Sequence, residues 1–259
     1  MTRALVTGAA RRLGRAMALR LAELGYDVAI HYASSYEDAG DVAGEIEALG
    51  RKAPVLAADL LNEADVASLI PRAVDALGGP LTVLVNNASI FEYDTIESAT
   101  RESWDRHFES NLRAPFVLAQ GFASQVPEPV KDENGEPVAQ GLVINMIDQR
   151  VRRLTPEFMS YTLAKSALWT LTQTAAQALA PRVRVNAIGP GPTLRGGRQT
   201  EAQFAAQRAA TLLQRGADPG EICAALTYLL EARAVTGQMI AVDGGQHLAW
   251  ETPDVIGTE

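Results

Sequence analysis

Cysteine, histidine and lysine are all scarce in this chain of 259 residues, and each scarcity excludes something. Cys223 is the sole cysteine, so an internal disulfide and a thiolate metal cluster are both ruled out. Set in Ile222-Cys-Ala-Ala-Leu226 within a helical pattern, it reads as a small buried hydrophobe. His31, His107 and His247 are far apart and belong to no metal-ligand motif, so no metal is expected. The positive charge is nearly all arginine, the only lysines being Lys52, Lys131 and Lys165. No apolar run approaches the roughly 20 residues of a membrane helix, and there is no charged-then-apolar leader. A net charge of −8 argues against nucleic acid or an anionic membrane as the main partner. The expectation is a soluble, cytoplasmic protein.

What is present is an alternation. Hydrophobic residues make up 47% of the chain, which suits one sizeable core and a single α/β domain over residues 1–259. Short apolar runs at 3–7, 28–32, 53–58, 82–85, 141–147, 182–188 and 239–242 read as strands. Stretches of helical period at 12–24, 36–49, 63–77, 102–125, 156–179 and 219–230 separate them, with a bend or break expected at Pro115. Strands and helices joined by short glycine links form a parallel sheet covered on both faces. Residues 127–140 read as an exposed loop, and the polar segment 189–202 as a candidate lid over a site.

Tyr161 and Lys165 stand four apart, one helical turn, so both project from one helix face. An ammonium there favours the phenolate, and the tyrosine pKa is expected to fall, which suits proton donation. Thirteen positions before the tyrosine, Asp148 ends the apolar run 141–147, hence the carboxyl end of a buried strand. Thr7-Gly-Ala-Ala-Arg-Arg-Leu-Gly14 lies between the first strand and first helix, where free N–H groups receive a phosphate. Its bland reading is a tight turn, but the paired charges of Arg11 and Arg12 are easier to explain with an anion present. After the second strand, His31-Tyr-Ala-Ser-Ser35 has no acid until Glu37. A carboxylate there would repel a 2′-phosphate, so its absence favours NADPH over NADH. Ser34 and Ser35 also suit simple helix capping. Asn86-Asn-Ala-Ser89 follows the fourth strand, where ligands gather or a polar turn suffices. Asn111 sits within a helix, a poor place for asparagine unless it has a buried polar task or faces solvent.

Together these pieces resemble the short-chain dehydrogenase/reductase family over essentially the whole chain. The matching residues are the turn Gly8 to Gly14, Asp59, Asn86-Asn87-Ala88, Asn111, Tyr161-x-x-x-Lys165, Pro190-Gly191 and Val242-Asp-Gly-Gly245. The resemblance implies a Rossmann-type doubly wound sheet, a nicotinamide cofactor and hydride transfer. It implies Tyr161 as proton donor, Lys165 as holder of the ribose and tuner of the tyrosine, and Asn111 as the group ordering a water beside the lysine. Cofactor contacts would fall to Gly8, Arg11, Arg12, Leu13, His31, Tyr32, Ser34, Ser35, Asp59, Leu60, Asn87, Ala88, Ser89, Tyr161, Lys165, Pro190 and Gly191. A homo-oligomer is implied, a tetramer ahead of a dimer.

Two departures narrow the resemblance. The family's usual turn has a glycine where Arg12 stands, and its usual catalytic serine is replaced by Asp148. Both changes look like the pteridine reductase branch, which also has an aromatic at the place of Phe91. By that resemblance Phe91 would stack on a pterin, and Arg12 and Ser89 would contact substrate and cofactor phosphate, making Arg12, Ser89, Phe91, Asp148 and Tyr161 the substrate residues. The chemistry of the aspartate points the same way: a carboxylate repels a developing oxyanion, whereas an acid coupled to Tyr161 helps protonate the nitrogen of a C=N bond. The alternatives are that Asp148 only bonds backbone at a strand end while an ordinary carbonyl is reduced, or that the protein holds NADPH without turnover. Arg150, Arg152 and Arg153 read as a solvated cluster, and Phe158, Met159 and Trp169 as core or subunit contact.

Overall fold

The computed structural model describes residues 2–252; residues 1 and 253–259 of the expected single domain lie outside them. Strands β1 (Arg3–Val6), β2 (Asp27–Tyr32), β3 (Val55–Ala57), β4 (Val83–Asn86), β7 (Gly141–Met146), β8 (Val183–Pro190) and β9 (Met239–Val242) form one sheet. Its order is β3-β2-β1-β4-β7-β8-β9 and every pairing is parallel. Helices α1 (Arg12–Glu23), α2 (Tyr36–Ala48), α3 (Glu63–Leu77), α4 (Arg101–Phe108), α5 (Ala114–Gln125), α6 (Met159–Leu179), α7 (Glu201–Ala209) and α8 (Pro219–Glu231) accompany it. The doubly wound α/β arrangement is therefore present, and the strand order reverses between β1 and β4, where such sheets open a crevice at their carboxyl ends.

Strand side chains alternate between two cores. Ala4, Val6, Val83 and Val85 face Met17, Leu21, Ile46 and Leu226 of α1, α2 and α8, whereas Leu5 and Leu84 face Leu69, Leu118 and Phe122 of α3 and α5. Both faces are covered, and so the strands read as unbroken apolar runs. Cys223 is buried in the first core, and burial pushes its thiol up to about 11, as expected of an inert hydrophobe.

Three stretches differ from the sequence expectation. The break in the fourth helical stretch comes before Pro115 rather than at it: Glu109–Arg113 is a π-helical segment joining α4 to α5. A proline ring clashes with the carbonyl four residues back, here that of Asn111, and a widened turn relieves it. Within 127–140, Val130–Lys131 (β5) and Pro137–Val138 (β6) pair as a small antiparallel hairpin, closed by Asp132, whose carboxylate accepts from the Asn134 and Glu136 N–H groups. The expected lid ends in α7, which buries none of its residues and so leaves no hydrophobic period to read. A Thr200–Gln203 capping box starts it.

At the switch point the carboxyl ends of β4 and β7 are tied by buried amides. Asn86 Nδ2 donates to Asn145 Oδ1 at 2.9 Å, and Asn145 Nδ2 donates to Thr172 Oγ1 of α6 at 2.9 Å. This fixes α6 against the strand that ends near Asp148. Asn145→Ala should cost about 2 kcal/mol by leaving buried partners unpaired, lowering Tm by about 4–8 °C in a thermal melt. A melt within about 1 °C of wild type would remove this tie from the account.

Candidate active site

The glycine turn is shaped from both sides. Gly8 has φ +61, and a Cβ on it would lie 3.1 Å from Ala88 Cα; a Cβ on Gly14 would lie 2.1 Å from the Gly8 carbonyl oxygen. Thr7 Oγ1 accepts from the Asn87 and Ala88 N–H groups, and Asn87 Nδ2 donates to the Thr7 and Gly8 carbonyls. The first turn of α1 carries no side-chain cap and no acid, leaving its N–H groups to an anion. This cradle fits a dinucleotide pyrophosphate. It opens into a cavity of about 480 Å³ lined by Gly8, Arg11, Arg12, Leu13, Asn87, Ala88, Ser89, Phe91, Asp148, Tyr161, Lys165, Pro190 and Gly191, among others.

The remaining expected cofactor residues sit around this cavity in different ways. His31 is 1% exposed; its Nδ1 accepts from Gly8 N–H and its Nε2 faces the Ala58 carbonyl. Burial pushes the imidazole down to about 4, so the neutral ring buttresses the turn and reaches a ligand only through Gly8. Tyr32 packs against Tyr36. Ser35 stands at the start of α2 without making a cap bond, so its hydroxyl is not used for capping, while Ser34 is exposed beside it. Asp59 and Leu60 follow β3, outside the cavity lining; the Asp59 carboxylate accepts from Leu61 N–H. Arg11 is not a bare charge: its guanidinium pairs with Asp38 at 2.6 Å. Such a surface pair is worth little, so Arg11 can exchange Asp38 for a phosphate. Arg12, at φ +54, is exposed and donates to the Leu194 and Arg195 carbonyls.

At the strand ends the acid–base groups meet. Tyr161 Oη donates to Asp148 Oδ2 at 3.1 Å, and Asp148 Oδ1 accepts from the Arg150 N–H at 2.8 Å. Burial raises the Asp148 carboxyl above the usual carboxylate range. Burial, then the charge of Asp148, raise the Tyr161 phenol well above its ordinary value, with the charge of Arg150 and then the Ser89 hydroxyl opposing. The expectation of a tyrosine lowered by its lysine is thus overturned. Lys165 Nζ donates to the Met146 carbonyl at 2.7 Å and lies 5.7 Å from the phenol ring centre; the carboxylate is nearer and of opposite effect. Burial pushes Lys165 itself down to about 8. Asn111, fully buried, spends its side chain on one backbone unit, Oδ1 accepting from Ile90 N–H and Nδ2 donating to the Ile90 carbonyl.

An outer chamber of about 780 Å³ adjoins the cavity, sharing Arg12, Phe91, Asp148, Pro190, Gly191 and Leu194. Here the sequence reading missed residues. Phe158 is not core: it stacks on Phe91 at 4.3 Å, with Arg150 5.0 Å above its ring. Arg198 donates to the Phe91 carbonyl and lies over both rings. The one available signal was an aromatic one helical turn before Tyr161; Arg198 carried none. The arginine cluster disperses: Arg152 donates to the Met239 carbonyl and Arg153 to that of Gln246, leaving only Arg150 at the site. No group of residues able to hold a metal occurs among the described residues, and no helix among them is long and apolar enough to cross a membrane.

A glycine turn at the switch point of a parallel sheet, opening onto a buried phenol and ammonium beside a partly buried carboxyl, defines an oxidoreductase of the Rossmann type. Residues 8–247 match a family described as Enoyl-(Acyl carrier protein) reductase. A short-chain dehydrogenase/reductase of Armillaria gallica is 34% identical over 256 residues, covering 93% of this chain and 94% of its own. The chain belongs to the short-chain dehydrogenase/reductase family. Among solved structures, FolM alternative dihydrofolate reductase 1 from Brucella suis, in complex with NADP, is 48% identical with a TM-score of 0.90, covering 98% of both chains. A short chain dehydrogenase from Burkholderia cenocepacia with NADP is 33% identical, TM-score 0.86, over 96% of this chain and 98% of that one.

Lys165 titrates lower folded than unfolded, so between the two values the unfolded chain binds more protons and this lysine's contribution to stability rises with pH. The stability of wild type relative to Lys165→Met, from denaturant midpoints, should therefore increase from about pH 7 to about pH 10. A constant difference would show that burial does not burden the ammonium.

Proposed function

We propose that the protein is an NADPH-dependent reductase of pterins, taking a dihydropterin to the tetrahydropterin. The observation that carries this reading is the partly buried hydrogen bond from Tyr161 to Asp148, a carboxyl where a ketone reductase wants a hydroxyl donor. A lone pair on an imine nitrogen takes up a proton, and a coupled acid pair supplies one; an ionised Asp148 repels the oxyanion of a reduced ketone. The 48% identity to a protein named alternative dihydrofolate reductase, solved with NADP, supports both cofactor and substrate class. The half-exposed ring of Phe91 suits a flat heterocycle.

NADPH, when bound, supplies the hydride. The turn at Gly8 and the first turn of α1 would hold its pyrophosphate, Arg11 and the serines after β2 its 2′-phosphate, and Lys165 its ribose. For the transfer the hydrogen bond reverses: Asp148, proton-loaded to higher pH than an ordinary carboxyl, donates to Tyr161 Oη and passes its proton there as the phenol turns its own to the ring nitrogen. The product state is an ionised aspartate and a neutral phenol, so the phenolate that burial and Asp148 both oppose never has to persist. Arg12 and Ser89 would contact substrate and cofactor phosphate from the cavity mouth.

NADPH oxidation followed by absorbance, with dihydropterins, dihydrofolate and simple ketones offered in parallel, should show turnover of the pterins and a kcat/KM at least about tenfold higher than with NADH, a gap of about 1.4 kcal/mol. Turnover of ketones alone would sink the proposal, and tight NADPH binding without any turnover would favour a binding protein. Tyr161→Phe should lower kcat by about a hundredfold or more, the scale of a lost general acid, with NADPH affinity within about twofold. Because the raised Asp148 must be protonated to act, pterin kcat/KM should fall as pH rises through its folded pKa. Asp148→Ser should lose both that limb and most of the activity; an unchanged profile would make the aspartate structural.

A further inference from the structure

We propose that His107, Ser160 and Asp94 form a brace that positions Tyr161 and Phe91, so that three residues touching no substrate set the rate of proton delivery. The proposal rests on Tyr161 as the proton donor. Its starting point is the segment from Ile90 to Asp94, whose even residues are each held by hydrogen bonds to a neighbouring helical element. Ile90 is held at both backbone groups by Asn111. Glu92 donates its N–H to His107 Nε2 at 3.1 Å, and its carboxylate pairs with Arg106 at 2.9 Å. The Asp94 carbonyl accepts from Met159 N–H, and its carboxylate accepts from Ser160 N–H at 3.1 Å. The odd residues, Phe91 and Tyr93, are exposed. Phe91 stacks on Phe158 and meets the Tyr161 ring edge-on at 4.6 Å, and Tyr93 meets Phe158 edge-on.

His107, Ser160 and Asp94 form one directed chain. Because His107 Nε2 accepts from Glu92, the ring carries its proton on Nδ1 and donates to Ser160 Oγ at 2.7 Å. The serine hydroxyl in turn donates to the Asp94 carboxylate, which also accepts from Ser103 Oγ of α4. His107 and Ser160 are fully buried and Asp94 is 1% exposed, so each bond is made without competition from water. Burial also lowers the His107 pKa, with the charges of Asp94 and Glu92 opposing and that of Arg106 assisting. The brace ends on the catalytic turn itself. Phe158 gives α6 no side-chain cap, so Asp94 caps the helix from a distant segment, and Tyr161 follows Ser160 directly. The His107 ring stands edge-on to Tyr161 at 5.9 Å. Releasing this chain would let the phenol and Phe91 shift relative to each other, and a displacement of about 1 Å can cost as much as a hundredfold in rate.

Ser160→Ala removes one hydroxyl and nothing else. With the panel substrate that wild type turns over fastest, folded Ser160→Ala should show kcat lowered about tenfold, a larger solvent isotope effect, and NADPH affinity within about twofold. His107→Phe should do the same, and the double variant should be no slower than the worse single one, because both break one chain. A folded Ser160→Ala with kcat within about twofold of wild type, or losses that multiply in the double variant, would overturn the brace. Nitrogen-15 imidazole spectra of wild type test it without any substrate: the brace requires His107 neutral with its proton on Nδ1 near pH 7, and an imidazolium or the other tautomer would refute it. If wild type reduces ketones alone, the pterin reading fails while the kinetic comparison still decides the brace, since Tyr161 protonates either product.

Discussion

Everything at the site depends on placing a carboxyl beside a buried phenol, largely screened from water. In solution neither group would be remarkable as an acid–base partner, and a carboxylate beside a tyrosine would simply discourage its ionisation. Buried, the same pair holds its protons more tightly on both members, and a proton-loaded carboxyl becomes a donor that refills the phenol. The fold makes this possible because the two residues arrive from different directions. Asp148 follows the buried strand β7, and Tyr161 stands on the first turn of α6, which Asn145 and Thr172 hold against that strand. The lysine is kept one step away by the Met146 carbonyl, so it can serve the cofactor side without disturbing the proton held between the other two.

Much of this was legible in the sequence, for a physical reason: parallel strands buried on both faces are continuous apolar runs, and the helices between them are long and amphipathic. β9 and α3 fall where their patterns place them, and the glycine turn, Asn87, Phe91, Asp148, Tyr161 and Lys165 do line one cavity. What was not legible is what only packing decides. α7 buries no side chain and so has no period. Pro115 announces a disturbance but not that a π turn absorbs it one residue group earlier. Spacing puts Tyr161 and Lys165 on one face, yet spacing cannot say that the ammonium turns to a carbonyl while the phenol turns to Asp148. His107 looked like an isolated histidine because its partners lie 15 and 53 positions away.

The site also departs from a plain Rossmann crevice in how its outer wall is made. Arg12 grips the loop after β8 by two carbonyls, and Arg198 of that same loop grips the Phe91 carbonyl. The glycine turn, the loop and the aromatic wall thus form one ring of contacts around the two chambers, with arginine supplying directional donors that a lysine would not fork in the same way.

The cap that Asp94 places on α6 has a last consequence, for how the molecule opens. The turn carrying Tyr161 is completed by a carboxylate 66 residues earlier in the chain, so it cannot fray as a helix end ordinarily does. The amides of Met159 and Ser160 and the segment from Ile90 to Asp94 must open and close as a single cooperative unit. In amide exchange the start of α6 would share the protection of a loop far away in sequence, and the reactive end of the helix would be among its slowest parts.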